Sequence, residues 1–261
     1  MDNSTALVLL PAMPVEISFV AEWNNHRVQV FDRNKKFLFK FGSSGAGNGE
    51  LDHPANVVFN GKTNQLVVSD TFNHRIQIFD SKGVFKSTFG RGNGGDGEFL
   101  RPYGVAFDKE GNYIVADWNN QIQVINAKGK FLRKFGTKGT GPGQLKYPCG
   151  VGILSTGNIV VSEYHNHRLQ IFTPQGQFVS FVGVGMLTKP GHLCVGPDDD
   201  IYVADSGNKR VLSFLPTGQL MKILKTGELR PEGVCLDNEG TVIVFGSNEV
   251  LIFEGSEGSE D

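Results

Sequence analysis

Cysteine is scarce in this chain, and so is any long apolar run. The 261 residues contain three cysteines, Cys149, Cys194 and Cys235. An odd, scattered set is no disulfide framework, and it points to a reducing compartment, the cytoplasm. No apolar run is long enough to span a bilayer, so no membrane partner is expected. Thr5 to Val15 has some signal-peptide character, but it follows Asp2, lacks a basic flank and holds two prolines, so it is read as part of the mature fold. No serine-nucleophile motif is present, nor any paired carboxylates outside the repeat described below. Strong charge of one sign is also missing. The net charge is −2, and the segment Glu254 to Asp261 carries four of the 27 acids, which leaves 23 acids against 25 bases in the body. So weak a balance neither predicts nor excludes nucleic acid.

What the chain does have is glycine and repetition. Glycine stands at 34 residues against 11 prolines, with apolar strands recurring between the glycines, a pattern of tight turns rather than disorder. Asn25-His26-Arg27-Val28-Gln29-Val30-Phe31 returns as Asn73 to Phe79 and again as Asn166 to Phe172. Weaker copies begin at Asn120, Asn208 and Asn248, giving steps of 48, 47, 46, 42 and 40 residues. A period in the forties with several short strands per unit is the signature of propeller blades.

Each unit parses into four strands. One follows a proline, as Gly104 to Asp108 does. The second ends in an acid, as Tyr113 to Asp117 does, the third follows the Asn-containing turn, and the fourth follows a Lys-Gly turn and ends at Phe-Gly. A lone blade cannot bury both faces, so the blades must close into a ring. The expected fold is an all-β, six-bladed propeller over residues 1–254, with 255–261 as a disordered acidic tail. Four places after each proline stand Val58, Ala106, Gly152, Cys194 and Cys235, small enough for strands crowded at an axis. Blade six shows no fourth strand, so either it has three or the N-terminal segment completes it.

The Asn-His-Arg-[Val/Ile/Leu]-Gln-[Val/Ile]-Phe core resembles the NHL repeat. So do its Asp-x-x-Asn-x-Arg lead-in and the Phe-Gly…Gly-x-Gly…Leu-x-x-Pro link. The resemblance covers about residues 15 to 254 and is strongest in blades one to four. Among NHL proteins the chain is most similar to the C-terminal propellers of tripartite-motif NHL proteins. That resemblance implies a domain that recruits RNA or protein, with ubiquitin-ligase activity residing in separate zinc domains. Three scattered cysteines cannot build such a zinc domain.

The remaining motifs have scaffold readings. The acids Glu22, Asp70, Asp117, Glu163 and Asp205 each precede an Asn by three residues, and four of them face Arg27, Arg75, Arg168 and Arg210. They are read as a turn device in which the acid caps the hairpin, Asn takes a left-handed turn and Arg pairs with the acid. His26, His74 and His167 occupy one repeat position in different blades and are too far apart to share a metal. The set Gly92-x-Gly94-x-x-Gly97 leads into a strand rather than a helix, so it is a connector and not a dinucleotide site. Asp198-Asp199-Asp200 occupies an ordinary turn slot. No catalytic residue, cofactor or metal is expected.

Candidate binding residues lie where the repeats stop agreeing. His53, Arg101, Lys189 and Arg230 precede the repeat proline, as Lys146 with Tyr147 does in blade four, and Tyr103 follows it in blade three. They are expected to ring the channel mouth with positive charge. Trp23, Trp118 and Tyr164 follow the lead-in acid directly and Phe72 follows one place later. Exposed aromatics interleaved with bases suit a protein hot spot or single-stranded RNA; alternatively, the aromatics pack onto adjacent loops. Recruitment of a partner protein ranks first and RNA second, with a lyase or lactonase as a remote third. The isolated domain is expected to be a monomer with no small-molecule substrate.

Overall fold

Short runs rich in Val, Ile and Phe, each stopped by a glycine or an acid–Asn turn, become strands because β-branched and aromatic side chains pack well on a pleated surface. The computed structural model describes residues 17–32, 34, 36–237, 239–246 and 249–254, together with the backbone of 5–9. The tail 255–261, expected above to be disordered, lies outside the described residues. Blade two is typical. Its inner strand Pro54–Asn60 pairs with Gln65–Asp70, then Arg75–Asp80, then the outer strand Phe85–Phe89, all antiparallel. Six such sheets account for the fold, five with four strands and the last with three among the described residues.

The ring closes through the inner strands. Thr5–Leu9, Pro54–Asn60, Pro102–Phe107, Pro148–Ile153, Pro190–Val195 and Gly233–Leu236 each lie beside the next, and Gly233–Leu236 lies beside Thr5–Leu9. The N-terminal strand is therefore the inner strand of blade one, paired with Ser18–Glu22, and it does not complete blade six. The third strand of blade six, Val250–Phe253, is the sheet edge among the described residues, which leaves Val250 52% and Ile252 47% exposed.

Core side chains sit between blades rather than within them. Phe19, Val28 and Val30 of blade one interlock with Val57, Leu66, Val68 and Phe79 of blade two. Equivalent clusters fill the other junctions, down to Val20 of blade one against Cys235, Ile243 and Phe245 of blade six. The strand alternation thus gives each blade two apolar faces, and only a neighbour on each side removes both from water.

At the axis the inner backbones approach closely. A Cβ on Gly104 would stand 2.2 Å from the Cys149 carbonyl oxygen, and one on Gly150 would stand 2.7 Å from the Leu193 nitrogen. The small residues Val58, Ala106, Gly152, Cys194 and Cys235 line an axial cavity of about 650 Å³, as their repeat position implies. All three cysteines are free.

Candidate functional site

The second-to-third-strand hairpins supply one half of the loop face. In four of them, the acid at the end of the second strand binds the Arg that opens the third. Asp70 accepts from Arg75 Nε at 2.7 Å, Glu163 from Arg168 Nε at 2.7 Å and Asp205 from Arg210 Nε at 2.8 Å; Glu22 pairs with Arg27 in the same way. The turn Asn donates to the same acid, as Asn25 Nδ2 does to Glu22 and Asn208 Nδ2 to Asp205, both at 2.9 Å. The acid also captures the loop that enters its blade. Asp70 accepts from the Asp52 N–H at 2.6 Å, Asp117 from Arg101 at 2.8 Å and Asp205 from Thr188 at 2.7 Å. Asp70, Asp117, Glu163 and Asp205 are fully buried. Burial pushes the Asp70 carboxyl above its ordinary value despite these donors. The charged ring is therefore scaffold.

One detail of the turn device differs from expectation. In four blades the left-handed residue is not the Asn but its successor: His26, His74, His167 and Lys209, with φ of 50–58°. Among the described residues, blade three alone places an Asn there, Asn120. The Asn side chain is needed by the acid, so the αL position passes to the next residue. In blade three the turn is one residue shorter, and Asp117 faces Gln121 across it.

The blade-to-blade links supply the other half. His53, Tyr147 and Lys189, each preceding a proline, are left-handed with φ of 51–52°, a conformation that costs a bulky residue of order 1–3 kcal/mol. The preceding hairpin holds them there. The backbone N–H of His53 donates to His26 Nδ1 at 3.3 Å, that of Tyr147 to Asn120 Oδ1 at 3.3 Å, and that of Lys189 to His167 Nδ1 at 3.0 Å. At these three junctions a left-handed hairpin residue, His26, Asn120 or His167, thus fixes a left-handed link residue.

These side chains converge. Trp23, Tyr103, Trp118, Tyr147, Tyr164, Lys189 and Arg230 wall a cavity of about 240 Å³ at the channel mouth, together with His165, Ser206 and Glu232. Trp118 stacks on Tyr103 at 4.8 Å and 14°, and Tyr103 stacks on His192 at 5.0 Å and 18°. Tyr147 meets Trp118 edge-on at 5.8 Å and His165 at 4.7 Å. Arg230 Nη2 donates to Tyr164 Oη at 3.0 Å. His53 and Phe72 pack behind Trp23, with ring centroids 5.2 and 5.3 Å from it, and Arg101 lies 5.0 Å over the Phe72 ring. Lys146 stands outside the cavity wall beside His165. Burial, then the positive charges of Lys146, His167 and Lys189, push His165 below its ordinary value.

Seven of the eleven sequence-derived candidates therefore wall this cavity, whereas His53, Phe72, Arg101 and Lys146 do not line it, and the expected exposure needs two corrections. Trp23 and Tyr103 are buried, not exposed, because His53, Phe72 and Tyr103 enclose the indole of Trp23 and the two neighbouring rings sandwich Tyr103. The contactable aromatic surface is carried by Tyr147, 36% exposed, and by the half-buried Trp118 and Tyr164. The indole Nε1 of Trp118 is buried without a conventional acceptor. Beneath it, burial pushes the Cys149 thiol up to about 12, the nearby indole opposing weakly.

His192 was missed. It is buried in blade five, and its Nδ1 lies 3.3 Å from Asn56 Nδ2 of blade two, across the ring. Burial pushes it down to about 4, so it is neutral at pH 7. A signal was available: two places after the proline stand Gly104, Gly150 and Gly233, whereas Asn56 and His192 replace the glycine.

Comparison with known proteins agrees with this geometry. The NHL repeat model matches residues 51–79, 145–172 and 187–214, which cover three hairpin-and-link units. The chain is an NHL-repeat β-propeller. Over 51 residues it is 35% identical to Protein brain tumor of Drosophila melanogaster, a tripartite-motif NHL protein; the match spans 20% of this chain and 5% of that protein. Among solved structures, a catalytically inactive H270A virginiamycin B lyase from Staphylococcus aureus with quinupristin superposes with a TM-score of 0.67 at 14% identity, covering 97% of this chain and 85% of that one. A protein of unknown function from Bacteroides caccae gives 0.68 at 13% identity, covering 89% and 82%. A streptogramin B lyase gives 0.66 at 11% identity, covering 95% and 91%. At such identities the likeness is one of fold.

Proposed function

We propose that this NHL propeller is a non-catalytic interaction module that recruits a partner protein through its loop face. A ubiquitin-ligase target is one partner class consistent with the tripartite-motif resemblance. The observation that carries the reading is the convergence of Trp118, Tyr147 and Tyr164 with Lys189, Arg230 and Glu232 around one cavity of about 240 Å³. A half-buried aromatic wall with charges of both signs at its rim suits an apolar anchor residue flanked by acids. The strained backbone at Tyr147 and Lys189 supports it, because the links maintain that geometry although a relaxed turn costs less.

Single-stranded RNA is the second reading, favoured by the positive field that acts on His165 and by the stacked rings beneath the mouth. Nuclease-treated and untreated lysates passed over the immobilised domain, wild type and Trp118→Ala, separate the two. Partner recruitment predicts proteins that survive nuclease and are lost from the folded variant. An unchanged protein set on the variant defeats the assignment of this cavity. If nuclease strips the column, RNA takes its place; binding to a random RNA pool then falls steeply with salt and is abolished by Arg101→Glu with Lys189→Glu.

A further inference from the structure

The left-handed pairs across blade junctions differ in chemistry. At one junction the pair is Asn120 with Tyr147 and at another His167 with Lys189, whereas between blades one and two it is His26 with His53. The residue before the link member is Lys146 or Thr188 at the first two and Asp52 at the third. This junction alone of the three therefore brings two imidazoles and a carboxylate together.

Their geometry is compact. His53 Nδ1 lies 2.6 Å from Asp52 Oδ1, and His26 Nδ1 lies 3.4 Å from the same oxygen. One ligand atom from each residue lies within 4.8 Å of the other two. Ligand atoms held about 2.1 Å from a tetrahedral zinc stand roughly 3.4 Å apart. The His26–Asp52 distance already fits, and the shorter contact has to open by about 0.8 Å to match that spacing. The side chains are 21, 36 and 26% exposed for His26, Asp52 and His53, so an ion can enter and water can complete its shell.

The supports are in place without an ion. The Asp52 N–H donates to Asp70 and its carbonyl accepts from Phe72 N–H. The His53 ring lies 5.2 Å from Trp23 and 4.5 Å from Phe72. Locked backbones and packed rings limit the ordering cost of binding.

We infer that His26, Asp52 and His53 form a divalent-metal site of the zinc class, with a fourth position open to water or to a partner's side chain. The ion replaces the proton between His53 Nδ1 and Asp52, which moves to His53 Nε2. It also displaces the 3.3 Å hydrogen bond from the His53 N–H to His26 Nδ1. The inference is independent of the recruitment reading.

Cobalt(II) titration of the whole chain tests it, with zinc as competitor. The expected result is one cobalt per chain with the visible absorption of a tetrahedral ion, bleached by zinc. Asp52→Asn, His53→Asn and His26→Asn should each weaken binding about ten-fold or more, since even outer-shell changes cost that much. His26→Asn is the conservative probe, because Asn120 shows that Asn holds the same left-handed position and accepts the same backbone N–H. His74→Asn, outside the cluster, should bind as wild type. Circular dichroism establishes that each variant is folded. Absence of the absorption, or its persistence in folded Asp52→Asn and His53→Asn, overturns the assignment.

Discussion

Tyr103 stacks on His192 with ring centroids 5.0 Å apart and planes at 18°, although the two belong to blades three and five. Trp118 continues the stack toward the loop face, and Asn56 of blade two meets the Nδ1 of His192. A column of three rings, Trp118, Tyr103 and His192, therefore links the cavity at the loop face to the residues that line the axial cavity. The side chains of a single blade do not make this column; it exists only when the ring is assembled.

The first prediction concerns acid. His192 titrates near 4 in the folded protein, against about 6.5 in an unfolded chain. The folded pKa is depressed, so the unfolded state binds more protons between those values and stability rises with pH there. Falling pH removes stability from about 6.5 down to about 4, by on the order of 3 kcal/mol for a shift of this size. His192→Gln should flatten the dependence of the urea midpoint on pH across that window. A parallel slope in wild type and variant would show that the loss comes from elsewhere.

A second prediction concerns the axis. Gly104→Ala places a methyl 2.2 Å from the Cys149 carbonyl oxygen, a backbone atom that cannot rotate away. The inner strands must separate, at a cost of about 1–3 kcal/mol or more. Gly240→Ala is the comparison, for its Cβ meets nothing within 4 Å and only its φ of +80° opposes the change, a strain of roughly 1–2 kcal/mol. Denaturant unfolding should rank Gly104→Ala as the more damaging.

The acid–Arg device gives a third. Asp70→Ala leaves Arg75 and Gln77 without the carboxylate that they share and frees the Asp52 N–H. Breaking one side of such a buried pair costs on the order of 3 kcal/mol. The loss should appear in the melting temperature. Per folded molecule, partner binding at Trp118 should change little, because the aromatic wall is built mainly from blades three and four.

Much of this was legible in the sequence because the blade is a local object. The 40–48-residue period, the acid–Arg pairing and the small residues at the axis each follow from contacts within one hairpin or from crowding common to every blade. What escaped depends on ring closure. His26 and His53 are 27 residues apart and meet only across a junction; Asn56 and His192 are 136 apart and meet only across the axis. The shift of the left-handed residue from Asn to its successor escaped for a smaller reason: the Asn side chain is already committed to the acid. Packing of the aromatics onto adjacent loops stood as an alternative, but which of them it buries depends on rings from several blades, such as Phe72 against Trp23 and His192 against Tyr103.

The last prediction separates strain from binding. Lys189 is held left-handed at φ 51° by the His167 ring. A left-handed residue with a Cβ costs roughly 1–2 kcal/mol, and glycine removes that cost while adding about 0.5–1 kcal/mol of unfolded-state entropy. Lys189→Gly should therefore leave stability within about 1 kcal/mol of wild type or raise it slightly. Lys189→Val keeps the strain, adds a branch at Cβ and should destabilise. Both variants lose the cation at the cavity rim, so both should weaken partner capture whatever their stability. If Lys189→Gly melts well below wild type, the link is not strained; if it captures partners as wild type does, the rim cation contributes nothing to recognition.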